Sequence, residues 1–136
     1  MPHEASPWLS QDACAMAQAV RTGQLSASSL IEASLQHIER HNPQLNAFTA
    51  VLAERARQRA RQIDADPLLR RGPLAGVPFA VKNLFDITGL PTLAGSRIER
   101  DSPGATTDAL LVRRVEAAGA VLVGALNMDE YAYGFT

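Results

Sequence analysis

One cysteine and one lysine stand among the 136 residues of this chain, and each scarcity carries information. With Cys14 alone, no intrachain disulfide can form, and a cytoplasmic setting is expected rather than a secreted one. The net charge of −1 lacks the positive surplus that phosphate backbones require, so nucleic acid is not an expected partner. No apolar run is long enough to cross a bilayer, so no membrane association is expected. The opening Met1 to Trp8 has no basic segment followed by an apolar stretch, and no signal peptide is expected there. What remains is an ordinary globular balance, 46% apolar and 20% charged, in a chain long enough for one domain with a real core.

The lysine is the more telling scarcity. Of thirteen basic residues, twelve are arginines and one is Lys82. Arginine stays charged in any protein setting, whereas a buried lysine can lose its proton. Lys82 lies in the stretch Gly72 to Asp86, where glycine and proline give way to the short apolar run Val77, Phe79, Ala80 and Val81. That run predicts a buried strand with the chain's only tunable amine at its end. Lys82 is therefore the candidate proton-transfer residue.

Around this stretch the pattern predicts helices first. Residues 1–9, with Pro2 and Pro7, read as an extended arm that Trp8 and Leu9 could dock. A first helix runs from a Ser10 cap to Thr22 and stops at Gly23, and a second from a Ser26 cap ends at Asn42-Pro43. Leu45 to Ala50 is extended or a turn, and a third helix covers about Val51 to Ala65. In that helix Arg55, Arg57, Arg59 and Arg61 read as a solvated face rather than an anion-binding patch. Cys14 falls in an apolar helical pattern and reads as core. His37 and His41 have metal-ligand spacing but no recognisable third ligand, so no metal site is expected.

A connector from Asp66-Pro67 leads to the Lys82 strand. Beyond it lies a long hydroxyl-rich loop, a length that is usually functional or disordered. Thr106 or Thr107 would cap a helix burying Leu111, Val112 and Val115, and Ala120 to Gly124 reads as a strand buried on both faces. Strand, helix and strand make a βαβ unit with parallel strands. Ligands of such sheets bind outside the carboxyl ends of the strands, which puts Lys82 and the Asn127 to Tyr131 segment on one rim. Tyr131 and Tyr133 read equally as walls of a substrate pocket or as ordinary loop packing. Asp129 and Glu130 read as helix-start residues.

Pro73 to Asn83 resembles the lysine motif of the amidase signature family, and Thr92-Leu-Ala-Gly-Ser96 resembles the Thr-x-x-Gly-Ser element that follows it. Asp108 to Gly124, Asn127 to Gly134 and the helical residues 10–65 are similar to further parts of the same family. The wording of Asn127 to Thr136 is most like the 1-carboxybiuret hydrolase branch, with glutamyl-tRNA amidotransferase A subunits next. The resemblance implies an α/β/α sandwich around a mixed sheet. It also implies hydrolysis of an amide C–N bond by a Ser–cis-Ser–Lys triad without metal or organic cofactor. Lys82 matches the family lysine. Asn83 stands where many members have Asp, and Ala125-Leu126 where Lys-Thr is common.

Both serines of the implied triad belong to a Gly-Ser-rich segment with no counterpart among these residues. Ser96 and Ser102 do not match their positions, and Ser96 reads as a support for its loop. The expectation is thus an incomplete α/β fold, the amino-terminal part of an amidase, with a helical segment over 1–66 and a first βαβ part of the core over 67–136. It would supply Lys82 to the complete enzyme and be inactive alone. The competing reading is a non-catalytic binding or assembly module derived from an amidase. Expected partners are a small amide substrate and either a second copy, because uncovered sheet edges promote self-association, or a small partner subunit.

Overall fold

The computed structural model describes residues 6–134. The first five residues of the expected arm lie outside the described residues. Residues Pro7–Ser10 form a 3-10 turn, with Trp8 and Leu9 packed against the main core.

The helix ends differ from the expected ones where two capping residues compete. Helix α1, Ala13–Thr22, is capped by Asp12, whose Oδ1 accepts from the Ala15 amide at 2.8 Å. The Ser10 hydroxyl is occupied instead by donating to the Pro7 carbonyl at 2.7 Å. Gly23 closes the helix with φ +77°, a left-handed conformation that costs glycine least. Helix α2, Ala27–Leu45, starts at Ser26 as expected but runs through Pro43. That proline lies close to the helix end and forfeits one intrahelical bond there, and the left-handed Asn46 closes the end by donating to the Asn42 carbonyl at 2.7 Å. The carboxylate of Asp64 reinforces the start of α2 from outside, accepting from the amides of Ala27 at 2.7 Å and Ser28 at 2.9 Å.

Strand β1, Phe48–Val51, lies in the segment read as extended or a turn, and α3, Ala53–Ala65, follows at once. A short α4, Pro67–Arg70, replaces the expected connector, with Pro67 at its first turn and the Asp66 side chain as cap. Strand β2 is Pro78–Lys82, α5 is Leu110–Ala117, and β3 is Val121–Leu126. Neither Thr106 nor Thr107 caps α5, which has Ala109 at the capping position. The Ala109 amide is held by the Asp86 carbonyl at 2.9 Å. Of the residues expected on the buried side of α5, Val112 is fully buried, whereas Leu111 and the neighbouring Leu110 are about half exposed.

The sheet is mixed, in the order β1-β3-β2, with β3 central, β1 antiparallel to it and β2 parallel to it. Side chains of β3 and β2 alternate between two cores, as the pleat requires. Val121, Val123 and Ala80 join the core built with Ala17, Val20, Leu30, Ile31, Ala56 and Ile63 of helices α1, α2 and α3. Leu122, Phe79 and Val81 meet Val112 of α5 and Ile87 on the other face. The result is an α/β/α arrangement in which β3 is buried on both faces while β2 is only half-buried along most of its length. The β1–β3 pairing ties the helical amino-terminal residues into the sheet. Among the described residues no helix is long and apolar enough to cross a membrane.

Candidate active site at the carboxyl rim of the sheet

Because β2 and β3 run in parallel, with Lys82 opposite Leu126, both strands deliver their next residues to the same rim. There the Lys82 ammonium lies 3.5 Å from Oδ1 of Asp129. The lysine side chain is 45% exposed and the aspartate side chain 19%, so the two form a half-open ion pair. The burial expected of Lys82 is not supplied by the described residues. Asp129, read from the sequence as a helix-start residue, precedes a 3-10 turn over Glu130–Ala132 but makes no side-chain capping bond to it.

Two loops meet at this rim in unusual backbone geometry. Ala94, Tyr131 and Ala132 all have positive φ, at 48°, 51° and 56°. Such conformations are rare for residues with a Cβ and persist where surrounding contacts over-determine them. Here the Tyr131 amide donates to the Ala94 carbonyl at 2.7 Å. Gly95, at φ +70°, lets the loop press against the other strand's continuation, since a Cβ there would stand 2.6 Å from the Met128 carbonyl oxygen. The buried Ser96 donates to Glu130 Oε1 at 2.7 Å and accepts from the Ile98 amide at 3.3 Å, which gives it the loop-supporting place read from the sequence.

Asn83, next to the lysine, is the residue that sequence reasoning underweighted. It is buried, and all its polar groups are engaged. Its amide donates to the Leu126 carbonyl at 2.9 Å and its carbonyl accepts from Ala94 at 2.8 Å. Its side chain accepts from the Leu93 amide at 3.1 Å and donates to Thr49 Oγ1 at 2.8 Å. One side chain thus locks β1 and the 92–96 loop to the end of β2. A polar residue directly after an apolar strand was the available signal.

The two tyrosines part company. Tyr131 is half exposed, and its hydroxyl donates to Glu99 Oε1 at 2.9 Å. The hydroxyl of Ser102, and then that of Tyr131, hold the Glu99 carboxyl below its ordinary range. Tyr133 is almost fully exposed. Neither lines the cleft of about 150 Å³ beside the rim, whose walls include Asn83, Ser96, Arg97, Arg100 and Asn127.

Elsewhere the candidates resolve into structural roles. The α3 arginines are mostly paired, Arg55 the most covered and Arg57 and Arg61 within exposed pairs on the solvated face. Arg55 meets Asp108 at 2.6 Å and Glu116 at 2.9 Å, Arg57 meets Glu32 at 2.9 Å, and Arg61 meets Glu54 at 3.4 Å. Bonding by the Arg55 guanidinium, helped by the Thr88 amide and hydroxyl and opposed by burial, lowers Asp108 from 3.8 to about 2. Cys14 is exposed, not core, because it lies on the outer side of α1 while Met16, Ala17, Ala19 and Val20 face inward. The rings of His37 and His41 contact each other in a tilted arrangement, with centroids 4.4 Å apart and planes at 47°. Among the described residues no group of three or more His, Cys, Asp and Glu side chains could hold a metal ion.

Comparison with known proteins gives this rim a context. The family model described as Amidase matches residues 29–136. The chain is 51% identical over 125 residues to AtzE, the 1-carboxybiuret hydrolase subunit of Pseudomonas sp. (strain ADP), covering 88% of this chain and 26% of that protein. It is 53% identical over 113 residues to the glutamyl-tRNA(Gln) amidotransferase A subunit of Anaeromyxobacter sp. (strain K), covering 81% of this chain and 23% of that protein. Among solved structures, a chain of a vestigial protein complex described as revealing the evolutionary origins of an s-triazine catabolic enzyme superposes with TM-score 0.88 at 48% identity, over 93% of this chain and 28% of that one. The native peptide amidase of Stenotrophomonas maltophilia superposes with TM-score 0.81 at 30% identity, over 92% of this chain and 26% of that one. The chain therefore spans about a quarter of the length of the curated relatives it matches. The match to the family model, the ordered motifs around Lys82 and the shared fold lead to one conclusion: the chain belongs to the amidase signature family.

Proposed function

We propose that this chain supplies the lysine of an enzyme that hydrolyses amide C–N bonds through a Ser–cis-Ser–Lys triad. The observation that carries the reading is the placement of Lys82, the chain's only lysine, at the carboxyl rim of a parallel strand pair in an amidase-family fold. In this scheme Lys82 takes up a proton by way of the bridging serine while the nucleophilic serine oxygen bonds to the amide carbonyl carbon. The C–N bond then breaks, the relayed proton leaves with the amine, and water cleaves the resulting acyl-serine ester. Asn83, Gly95 and Ser96 fix the loops that flank the lysine, so its position is set before substrate arrives.

The 136 residues hold no Gly-Gly-Ser-Ser-Gly-like segment, and the nucleophile must come from residues outside them. We therefore expect the 136 residues alone to be inactive. A stoichiometric burst of acyl-enzyme from the purified 136-residue chain would overturn this reading. Tyr131, half exposed beside the rim, is a candidate for one wall of the acyl pocket in the complete protein, and the more exposed Tyr133 for its outer part. Two relatives are described as subunits, which supports pairing with a small partner chain besides the alternative of a second copy. Sedimentation of the native protein distinguishes a lone chain, a self-associated one and a hetero-complex.

A further inference from the structure

This inference rests on the amidase reading and deepens it by naming a feature of the substrate. We propose that the cleft beside the Lys82 rim is an anion subsite, in which Arg97 and Arg100 receive a carboxylate carried by the amide substrate. The cleft holds about 150 Å³. Whole small-molecule pockets commonly occupy about 300–1,000 Å³, so this one fits a single small group rather than a complete ligand.

Its electrostatic character follows from which residues line it. Arg97 and Arg100 are its only charged lining residues, and no carboxylate is among its walls. Arg97 precedes the 3-10 turn Ile98–Asp101 and Arg100 lies within it. Residues three apart in such a turn lie nearly above one another, and both arginines line the same cleft. Among the described residues neither side chain has a hydrogen-bond or ion-pair partner.

The surrounding groups are already engaged. Glu99 accepts from Ser102 at 2.8 Å and from Tyr131 at 2.9 Å, and Glu130 accepts from Ser96 at 2.7 Å. The side-chain amide of Asn83 donates to Thr49, and that of Asn127 donates to the Asn46 carbonyl at 3.2 Å. The charged donors left unused in the cleft are therefore two guanidinium groups. Their planar fork matches a carboxylate bidentately. The cleft's wall residue Asn83 directly follows Lys82, and Met128 directly precedes its ion-pair partner Asp129. An amide anchored here by a carboxylate would have its other end at the reacting rim.

The test uses the full-length protein with succinamate, an amide bearing a carboxylate, beside neutral succinamide. We expect the Arg97→Gln/Arg100→Gln double variant to lose about tenfold in kcat/KM on succinamate, expressed mainly in KM, with a loss at least about fivefold smaller on succinamide. The Arg97→Lys/Arg100→Lys variant should recover part of the succinamate activity, because it restores charge but not the fork. Equal losses on both amides, or no loss on succinamate, would overturn the subsite. If the wild type hydrolyses neither amide, calorimetric titration with succinate still decides the matter. Succinate binding that weakens in the glutamine double variant supports the subsite whatever becomes of the amidase reading, and absence of binding to the wild type refutes it. Circular dichroism of each variant guards against loss of fold.

Discussion

Arg55 on α3 grips Asp108, just ahead of α5, with both terminal nitrogens, at 3.1 and 2.6 Å, and so ties together helices on opposite sides of the sheet's end. The same carboxylate accepts from the Thr88 amide at 2.8 Å and hydroxyl at 2.9 Å. Its pKa records these bonds, falling from 3.8 to about 2, with Arg55 as the main cause. A carboxyl whose folded pKa lies below its unfolded one contributes stability above the unfolded value and loses it as pH falls through the folded value. We expect Asp108→Asn to lower stability at pH 7 by about 1–2 kcal/mol. In urea melts the wild type and variant should approach one another between about pH 4 and pH 2. A gap that stays constant down to pH 2 would contradict this role.

Asp64 serves as a cap for a helix that begins thirty-seven residues earlier in the chain. It satisfies two first-turn amides of α2 and also accepts from the Ser28 hydroxyl at 2.5 Å. Asp64→Ala should therefore cost about 1–3 kcal/mol, more than a local cap alone, and Asp64→Asn should cost less because one acceptor survives. Thermal melts of the two variants check the order. If Ser26→Ala costs more than Asp64→Ala, the local cap dominates instead.

Replacing Lys82 with Met keeps most of the side chain's length and removes only the amine. Because the ion pair with Asp129 is half open, the substitution should cost no more than about 1 kcal/mol of stability. Under the proposed mechanism it should abolish amide hydrolysis by the complete enzyme. Steady-state assays and a thermal melt of the same preparation separate the two effects, and an active Lys82→Met enzyme would remove the lysine from the mechanism.

Gly95 and Gly23 both have positive φ, yet a side chain would meet very different surroundings. At Gly95 a Cβ would stand 2.6 Å from the Met128 oxygen and 2.7 Å from that of Asp129, whereas at Gly23 nothing lies within 4 Å. Gly23→Ala should cost about 1 kcal/mol for backbone strain alone. Gly95→Ala should cost about 1–3 kcal/mol and displace the segment that presents Asp129 to Lys82. Melting temperatures test the first part. For the second, Gly95→Ala should lower kcat of the complete enzyme while Gly23→Ala leaves it alone.

Much of this architecture was legible in the residues. The short apolar runs ending at Lys82 and beyond Ala120 marked two parallel strands, although only β3 is buried on both faces while β2 is half-buried. Strand β1 left no such run: Phe48-Thr-Ala-Val is short, alternately exposed and at the sheet edge, and becomes a strand only through pairing with β3. Pro43 argued for a helix end that tertiary closure at Asn46 overrode. At the site, the lysine was visible from its rarity, but its partner Asp129 was not, since an acidic residue at the start of a turn has a sufficient local explanation. Arg55 and Asp108 are separated by 53 residues, and no local pattern announces a pair at that distance. The two arginines of the proposed subsite were hidden for the opposite reason, as surface charges in a loop attract no notice until the cleft they line is seen.

The strand order has a consequence for how the chain is made. The central strand β3 is the last of the three to be synthesised, so β1 and β2 leave the ribosome before the strand that pairs with both. Helices α1 to α3 can pack early from local contacts, but the sheet must wait for residues 121–126, with Phe79 and Val81 uncovered in the interval. The rim that carries Lys82 and Asp129 therefore depends on a strand synthesised after both of its neighbours, and the two residues are brought together only where β3 pairs with β2.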